Sequence, residues 1–279
     1  MSELISIIMP IYNVENHLQR SIDSLLSQNY QNIEILLIDQ GSTDASGDIA
    51  EAYFLHHADL VRTFHIQHIG TFAEMNYGLK YLKGTYISFV SPDSWVEPYF
   101  LENLYHTMKK NDVLMVSANY DEITNDDDTA FEKIYTAQEA FNLSQENCQQ
   151  VRFAVLGTMH NKLCHRSLFD HIQFPELHRY ESFYPVYQLI MAAGKIGYLH
   201  KNLYHTHLAQ NESIGDEDAH EKADALIRSS EEILAIMPLA GYGYQTQFES
   251  YVNNLHLAEQ YYKDAGLNHK AQRCNQNIH

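Results

Sequence analysis

Two hydrophobic patterns alternate through the first 120 residues. Near-continuous apolar runs at 4–9 (LISIIM), 33–38 (IEILLI), 61–66 (VRTFHI), 85–90 (TYISFV) and 113–118 (VLMVSA) predict strands covered on both faces. Between them the apolar spacing turns helical. Over 15–28 (ENHLQRSIDSLLSQ), Leu18, Ile22, Leu25 and Leu26 form one stripe. A helix capped by Ser42, Thr43 or Asp44 runs to about His57, and others fall near 71–83 and 98–110. Such alternation predicts an α/β fold with right-handed crossovers and a mainly parallel sheet flanked by helices. Ligands of these sheets sit outside the carboxyl ends of the strands. Those ends carry Pro10-Ile11-Tyr12-Asn13, Asp39-Gln40-Gly41-Ser42, His68-Ile69-Gly70 and Ser91-Pro92-Asp93.

The rhythm changes after residue 120. DEITNDDDTAFEK reads as an acidic connection, and Thr136 to Glu139 as a capping box opening a short helix. Residues 181–193 read as helix, and IGYLH and NLYHTH as two short strands. From about 216 the chain is helical, with a break at Pro238, Gly241 and Gly243. Ala225, Ile233, Leu234 and Ile236 on one helix, and Phe248, Val252, Leu255 and Leu257 on the other, predict a helical hairpin packed on the main domain, with a dimer contact as the alternative. The chain therefore divides into 1–215 and a helical region, 216–279.

Of the 279 residues, 45% are hydrophobic and 19% charged, enough apolar material for a sizeable core. The net charge of −18 sets the chain against nucleic acid and anionic membranes, and no basic patch offsets it. No apolar stretch is long enough for a membrane span, and the opening MSELISIIMPIYN lacks the basic leader of a secretory signal. Cys148, Cys164 and Cys274 are widely spaced and odd in number, which fits a reducing cytoplasm rather than a disulfide framework. Any membrane association is then peripheral, through partners.

The segment ISIIMPIYNVENHLQRSIDSLLSQNYQNIEILLIDQGSTDASGDIAEAY resembles the opening of family 2 glycosyltransferases of the GT-A, nucleotide-diphosphosugar-binding fold. The likeness continues through HIGTFAEMNYGLKYLKGTYISFVSPDSWVEP and returns in NKLCHRSLFDHIQFPE, RYESFY and LYHTHLAQNESI, so it covers roughly 4–214. It implies an inverting transferase moving a sugar from a UDP-sugar donor to a glycan, lipid-linked or protein-linked acceptor. The implied setting is bacterial cell-surface polysaccharide or glycoprotein biosynthesis. Residues 1–215 would be the nucleotide-sugar-binding and acceptor domain, and the C-terminal helices would carry any homodimer or hetero-complex contact.

The resemblance also implies roles. Asp39 would accept from the uracil N–H, and Pro10, Tyr12 and Asn13 would form the loop beneath base and ribose. Gly41 allows close backbone approach, and Ser42 closes the turn. Asn76 falls in the family's Ala-Arg-Asn-x-Gly-Leu stretch, although Met75 replaces the arginine that would balance pyrophosphate charge. The family's Asp-x-Asp becomes Ser91-Pro92-Asp93, followed by Ser94, leaving Asp93 as the carboxylate for a divalent metal, Mn2+ or Mg2+, held weakly or not at all. His205 and His207 are the candidate additional ligands. Glu181, in RYES, is the candidate general base, because Ser182 stands where the family has aspartate; His178 is remoter. Lys162 approaches phosphate or supports its loop. Replacement of acids at Gln40, Ser91, Ser94 and Ser182 keeps a second reading open: a non-catalytic, transferase-like subunit supporting an active enzyme.

Overall fold

The computed structural model describes residues 2–67, 73–120, 131–143, 151, 154–172, 174, 184–206 and 219–278. Among them the strands are β1 (Ile5–Ile11), β2 (Ile33–Asp39), β3 (Val61–His65), β4 (Tyr86–Phe89), β5 (Ser94–Val96), β6 (Met115–Tyr120), β7 (Phe131–Thr136), β8 (Lys162–His165) and β9 (Lys195–Thr206). The helices are α1 (Glu15–Leu26), α2 (Ser46–His56), α3 (Ala73–Tyr81), α4 (Phe100–Asn111), α5 (Ala137–Phe141), α6 (Tyr184–Ala193), α7 (Ala219–Leu239), α8 (Gln245–Asp264) and α9 (Asn268–Ile278). They build one mixed sheet in the order β3-β2-β1-β4-β8-β6-β9-β5, with β7 on β9. The β3-β2-β1-β4 part is parallel, as is β6 on β9; β8, β5 and β7 pair antiparallel.

Ile5, Ile7, Ile8, Met9 and Ile11 of β1 and Ile35 to Ile38 of β2 are all fully buried, as strands covered on both faces require. Each buried polar residue among them has a partner. The Ser6 hydroxyl donates to Glu34 at 2.5 Å, and Glu34 also accepts from the Lys83 amide and pairs with Arg62. α3 presses hard on β1: a methyl group at Gly78 would come within 2.7–2.9 Å of Ile8.

Three elements differ from the sequence-based expectation. The runs IGYLH and NLYHT form one twelve-residue strand, β9, whose pairing to β6 shifts register around Asn202 rather than breaking there. β7 occupies what reads as the end of an acidic connection, paired to β9 by register from Phe131↔His200 to Thr136↔Lys195. The C-terminal helices number three, and their seam is rotated from the expected stripe. Ala223, Leu255, Ala258, Tyr262, Ala271 and Cys274 make a small core of their own, whereas Phe248 and Leu257 are 46% and 43% exposed. Ile233 and Met237 of α7 belong to the main core. The capping box at Thr136 and Glu139 forms as the sequence requires. Cys164 and Cys274 are free and buried. Among the described residues no helix is long and apolar enough to cross a membrane.

Candidate functional site

Two loops close on each other at the carboxyl ends of β1 and β2. Asn13 takes a left-handed backbone (φ 51), a conformation asparagine tolerates. Its amide N–H donates to the Ser42 hydroxyl at 3.1 Å, and its side-chain oxygen accepts from the Thr43 amide at 2.8 Å. One turn further on the lock repeats. Val14 N–H donates to Ser46 Oγ, Glu15 N–H to Asp44, and Ala45 N–H to Glu15. Pro10, at the end of β1, is half-buried and Tyr12 is 44% exposed. Gly41, at φ +74, makes the sharp turn that brings Ser42 back toward Asp39.

Asp39 ends β2. Its Oδ1 accepts from the Ser42 amide at 3.0 Å and the Ser42 hydroxyl at 2.6 Å. Its Oδ2 lies 2.9 Å from His65 Nδ1, and His65 Nε2 lies 2.8 Å from Glu51. β2 and β3 pair in parallel with Asp39 opposite His65, so the sheet register sets this contact. Burial would raise the Asp39 carboxyl, but the hydrogen bonds from Ser42 and His65 outweigh it and hold the group below its ordinary value. The bond to Asp39 raises His65, against partial burial and with help from Glu51. With both oxygens engaged and its side chain 5% exposed, Asp39 offers a ligand chiefly the shape of the turn. Its neighbour Gln40 differs. Gln40 is 4% exposed, its amide N–H donates to the Ile11 carbonyl, and its buried side-chain Oε1 has no partner among the described residues. Sequence reasoning passed over Gln40 as a lost acid; only packing reveals the orphaned acceptor.

The Asp93 turn is pinned from two sides. The Tyr204 hydroxyl lies 3.0 Å from the Ser91 amide, which donates to it, and Ser21 donates to the Ser91 carbonyl at 3.2 Å. Asp93 Oδ1 accepts from the hydroxyls of Ser91 at 2.6 Å and Ser94 at 3.1 Å. Among the described residues no group of three or more His, Cys, Asp and Glu side chains could hold a metal ion. His205 faces elsewhere: its Nε2 pairs with Glu97 at 2.8 Å and its ring stacks on Trp95. The donors at Asp93 are therefore one carboxylate and two hydroxyls. That set fits a hard cation only if a ligand's own phosphate oxygens and water complete the shell.

Asn76 is committed to main chain. Its side chain donates to the Phe174 carbonyl at 2.8 Å and accepts from the Phe174 amide at 3.0 Å. Phe174 packs edge-on against Phe89 of β4, so Asn76 ties α3 to the chain just before 175 rather than presenting a free amide. Lys162 is 1% exposed, and its ammonium donates to Ala154 O, Thr158 O and Asn161 Oδ1. It supports its loop. His68, Gly70, His178, Glu181, Ser182 and His207 lie outside the described residues.

The strand ends of the α/β sheet carry interlocked loops after β1 and β2 and a carboxylate-bearing turn after β4. The model of the family described as Glycosyl transferase family 2 matches residues 6–173. Glycosyltransferase GlyG of Streptococcus pneumoniae serotype 4 is 31% identical over 215 residues, 73% of this chain and 70% of that protein. Glycosyltransferase GlyA of the same organism is 30% identical over 214 residues, 73% of this chain and 30% of that protein. Among solved structures, S. aureus TarS 1-349 in complex with UDP-GlcNAc aligns with a TM-score of 0.63 at 16% identity, covering 98% of this chain and 88% of that one. The mannosyltransferase PcManGT from Pyrobaculum calidifontis, in complex with GDP-Man and Mn2+, aligns with a TM-score of 0.64 at 12% identity, covering 98% and 86%. At such identities these structures show the fold, a GT-A glycosyltransferase fold. The family match spans more than half of the chain, and on that ground the chain belongs to glycosyl transferase family 2 and is a glycosyltransferase.

Proposed function

We propose that this glycosyltransferase moves a sugar from a UDP-sugar, with inversion at the anomeric carbon, to a hydroxyl of a glycan or of a lipid- or protein-linked glycoconjugate. Its setting in this reading is the cytoplasmic side of cell-surface polysaccharide or glycoprotein assembly. The observation that carries the donor assignment is Gln40. Among the described residues this buried amide oxygen has no partner, which is costly, and a rotation of the side chain toward the strand ends would let it accept from a nucleobase N–H. The adjacent Nε2 would donate to the base carbonyl beside that N–H. Asp39, Ser42 and His65 brace the turn beneath, and Pro10, Tyr12, Asn13 and Gly41 rim it.

The reaction is a single displacement. The acceptor oxygen bonds to the anomeric carbon while the bond from that carbon to the diphosphate oxygen breaks, so configuration inverts. Glu181 takes the acceptor proton in this reading. Asp93 is the residue that would hold a divalent cation, which when bound supplies positive charge to the leaving diphosphate. His207 remains the histidine candidate for that shell, while His205 is held by Glu97.

Thermal unfolding with UDP, GDP, CDP and ADP, each with and without Mn2+, tests the reading. Saturation to about 100 Kd stabilises a binding-competent fold by about 2.7 kcal/mol. UDP is expected to stabilise most, and Gln40→Leu to erase its advantage. No stabilisation by any nucleotide would overturn the proposal.

A further inference from the structure

A cavity of about 160 Å3 opens beside Asp93, lined by Asn16, His17, Arg20, Asp93, Ser94 and Trp95. None of Asn13, Ser42 and Thr43, which lock the strand-end loops together, lines it. The Arg20 guanidinium lies over the Trp95 ring, 3.2 Å from its centroid. Trp95 in turn stacks on His205 at 5.2 Å and 11°, and His205 is held by Glu97. The guanidinium is therefore immobilised on a platform built by β5 and β9. Among the described residues no hydrogen bond or ion pair engages its N–H groups. A stacked guanidinium keeps its in-plane donors available, and less freedom remains to be lost when they bind.

Elsewhere the chain discourages anions. Lysine and arginine total 18 against 36 acids, so an exposed arginine without an acidic partner stands out. At roughly 30 Å3 per water, the cavity has room for about five waters, enough for a phosphate and part of what it is attached to. Asp93 shapes the choice of ligand. It offsets the arginine's charge, so each further negative charge is penalised and a monoanionic phosphodiester is favoured over a dianionic monoester. Its carboxylate also accepts from a hydroxyl.

We propose that this cavity is a phosphate subsite, in which Arg20 donates to the oxygens of a phosphodiester and Asp93 accepts from a neighbouring hydroxyl. The phosphate could come from the acceptor or from the donor's diphosphate. Arg20 and Trp95 stand apart from the interlocked loops, whereas Asp93 also serves the donor's diphosphate in the reading above, so titration in the presence of UDP decides between the two sources. The inference leans on the transferase reading only for this choice of source.

Trp95 is the chain's one tryptophan, so its fluorescence reports the cavity directly. Dimethyl phosphate is titrated into the full chain at fixed ionic strength, with and without saturating UDP. A saturable change is expected that weakens at least tenfold in Arg20→Gln and partly in Arg20→Lys, with melting temperature unchanged. Binding that persists alongside UDP identifies the acceptor as the source. Competition with UDP, together with weaker UDP binding by Arg20→Gln, identifies the donor diphosphate. An unsaturable response, or one that Arg20→Gln leaves intact, overturns the subsite. If UDP never binds while dimethyl phosphate still needs Arg20, the donor assignment fails and the subsite stands.

Discussion

The contact between Asp39 and His65 carries a pH signature that Asp39→Asn should erase. Three hydrogen bonds converge on the Asp39 carboxylate, from the Ser42 amide, the Ser42 hydroxyl and His65. Asparagine is isosteric and its Oδ1 still accepts from Ser42, so the variant loses the charge and the His65 bond but not the turn. Hydrogen bonds to a charged group contribute about 1.5–3 kcal/mol each, and the half-exposed His65 reduces that through solvent screening. The net cost is about 1–2 kcal/mol near pH 5.5, or a melting temperature roughly 2–8 °C lower. The two titrations bound the effect from opposite sides. Asp39 is held low, so its contribution is full above about pH 3.9 and is lost as pH falls through the folded value. His65 is held high, so its contribution is full below about pH 6.5 and is lost as pH rises through the folded value. The difference between parent and variant should therefore peak between about pH 4 and 6.5 and shrink toward pH 8.5. Urea denaturation at half-unit pH steps measures it. A difference that stays flat from pH 5 to 8.5 would refute the ion pair.

Three further outcomes follow from the packing. Gly78→Ala drives a methyl group to 2.7–2.9 Å from the fully buried Ile8, and urea denaturation should show a loss of about 1–3 kcal/mol. Asn76→Ala removes both side-chain hydrogen bonds to the buried Phe174 main chain and should cost about 1–3 kcal/mol by the same measurement, more than a surface asparagine would. Burial pushes the Cys164 thiol up to about 12, so mass-spectrometric mapping after alkylation at pH 8 should find it unmodified in the folded chain and modified in urea.

What was legible in the sequence was whatever a periodic pattern or a local motif fixes. β1, β2 and β4 announced themselves as apolar runs because both their faces are covered, and Thr136 with Glu139 formed its capping box because that motif is self-contained. β7 escaped because FEKIYT alternates exposed and half-buried positions beside an acidic segment, and only its register on β9 makes it a strand. The helical seam around Leu255 came out rotated because hydrophobic spacing alone does not say which side a neighbour covers. The site shows the same divide. The turn residues Asn13, Gly41 and Ser42 were readable from the spacing of the strand ends. The partners that change their chemistry were not. His65 reaches Asp39 through parallel register, Gln40 is left without a partner by its surroundings, and Arg20 stacks on Trp95 across 75 residues of sequence.

The serines that replace acids around Asp93 do more than subtract charge. Carboxylates at 91, 93 and 94 would place like charges about 5 Å apart, each pair costing about 3 kcal/mol at an effective dielectric near 20 unless a cation intervened. Serine hydroxyls instead donate to Asp93 at 2.6 and 3.1 Å, so the turn is satisfied by its own atoms and tethered by Tyr204. A cation arriving here is not needed to hold the turn together. Its affinity must come largely from whatever phosphate oxygens arrive with it. The same logic applies after β2, where Gln40 stands as a neutral amide at the position for which the resemblance implies an acid, its side-chain oxygen without a partner among the described residues. At both turns a fixed negative charge has given way to hydrogen-bonding groups, which lowers the electrostatic cost of receiving a diphosphate in a chain of net charge −18.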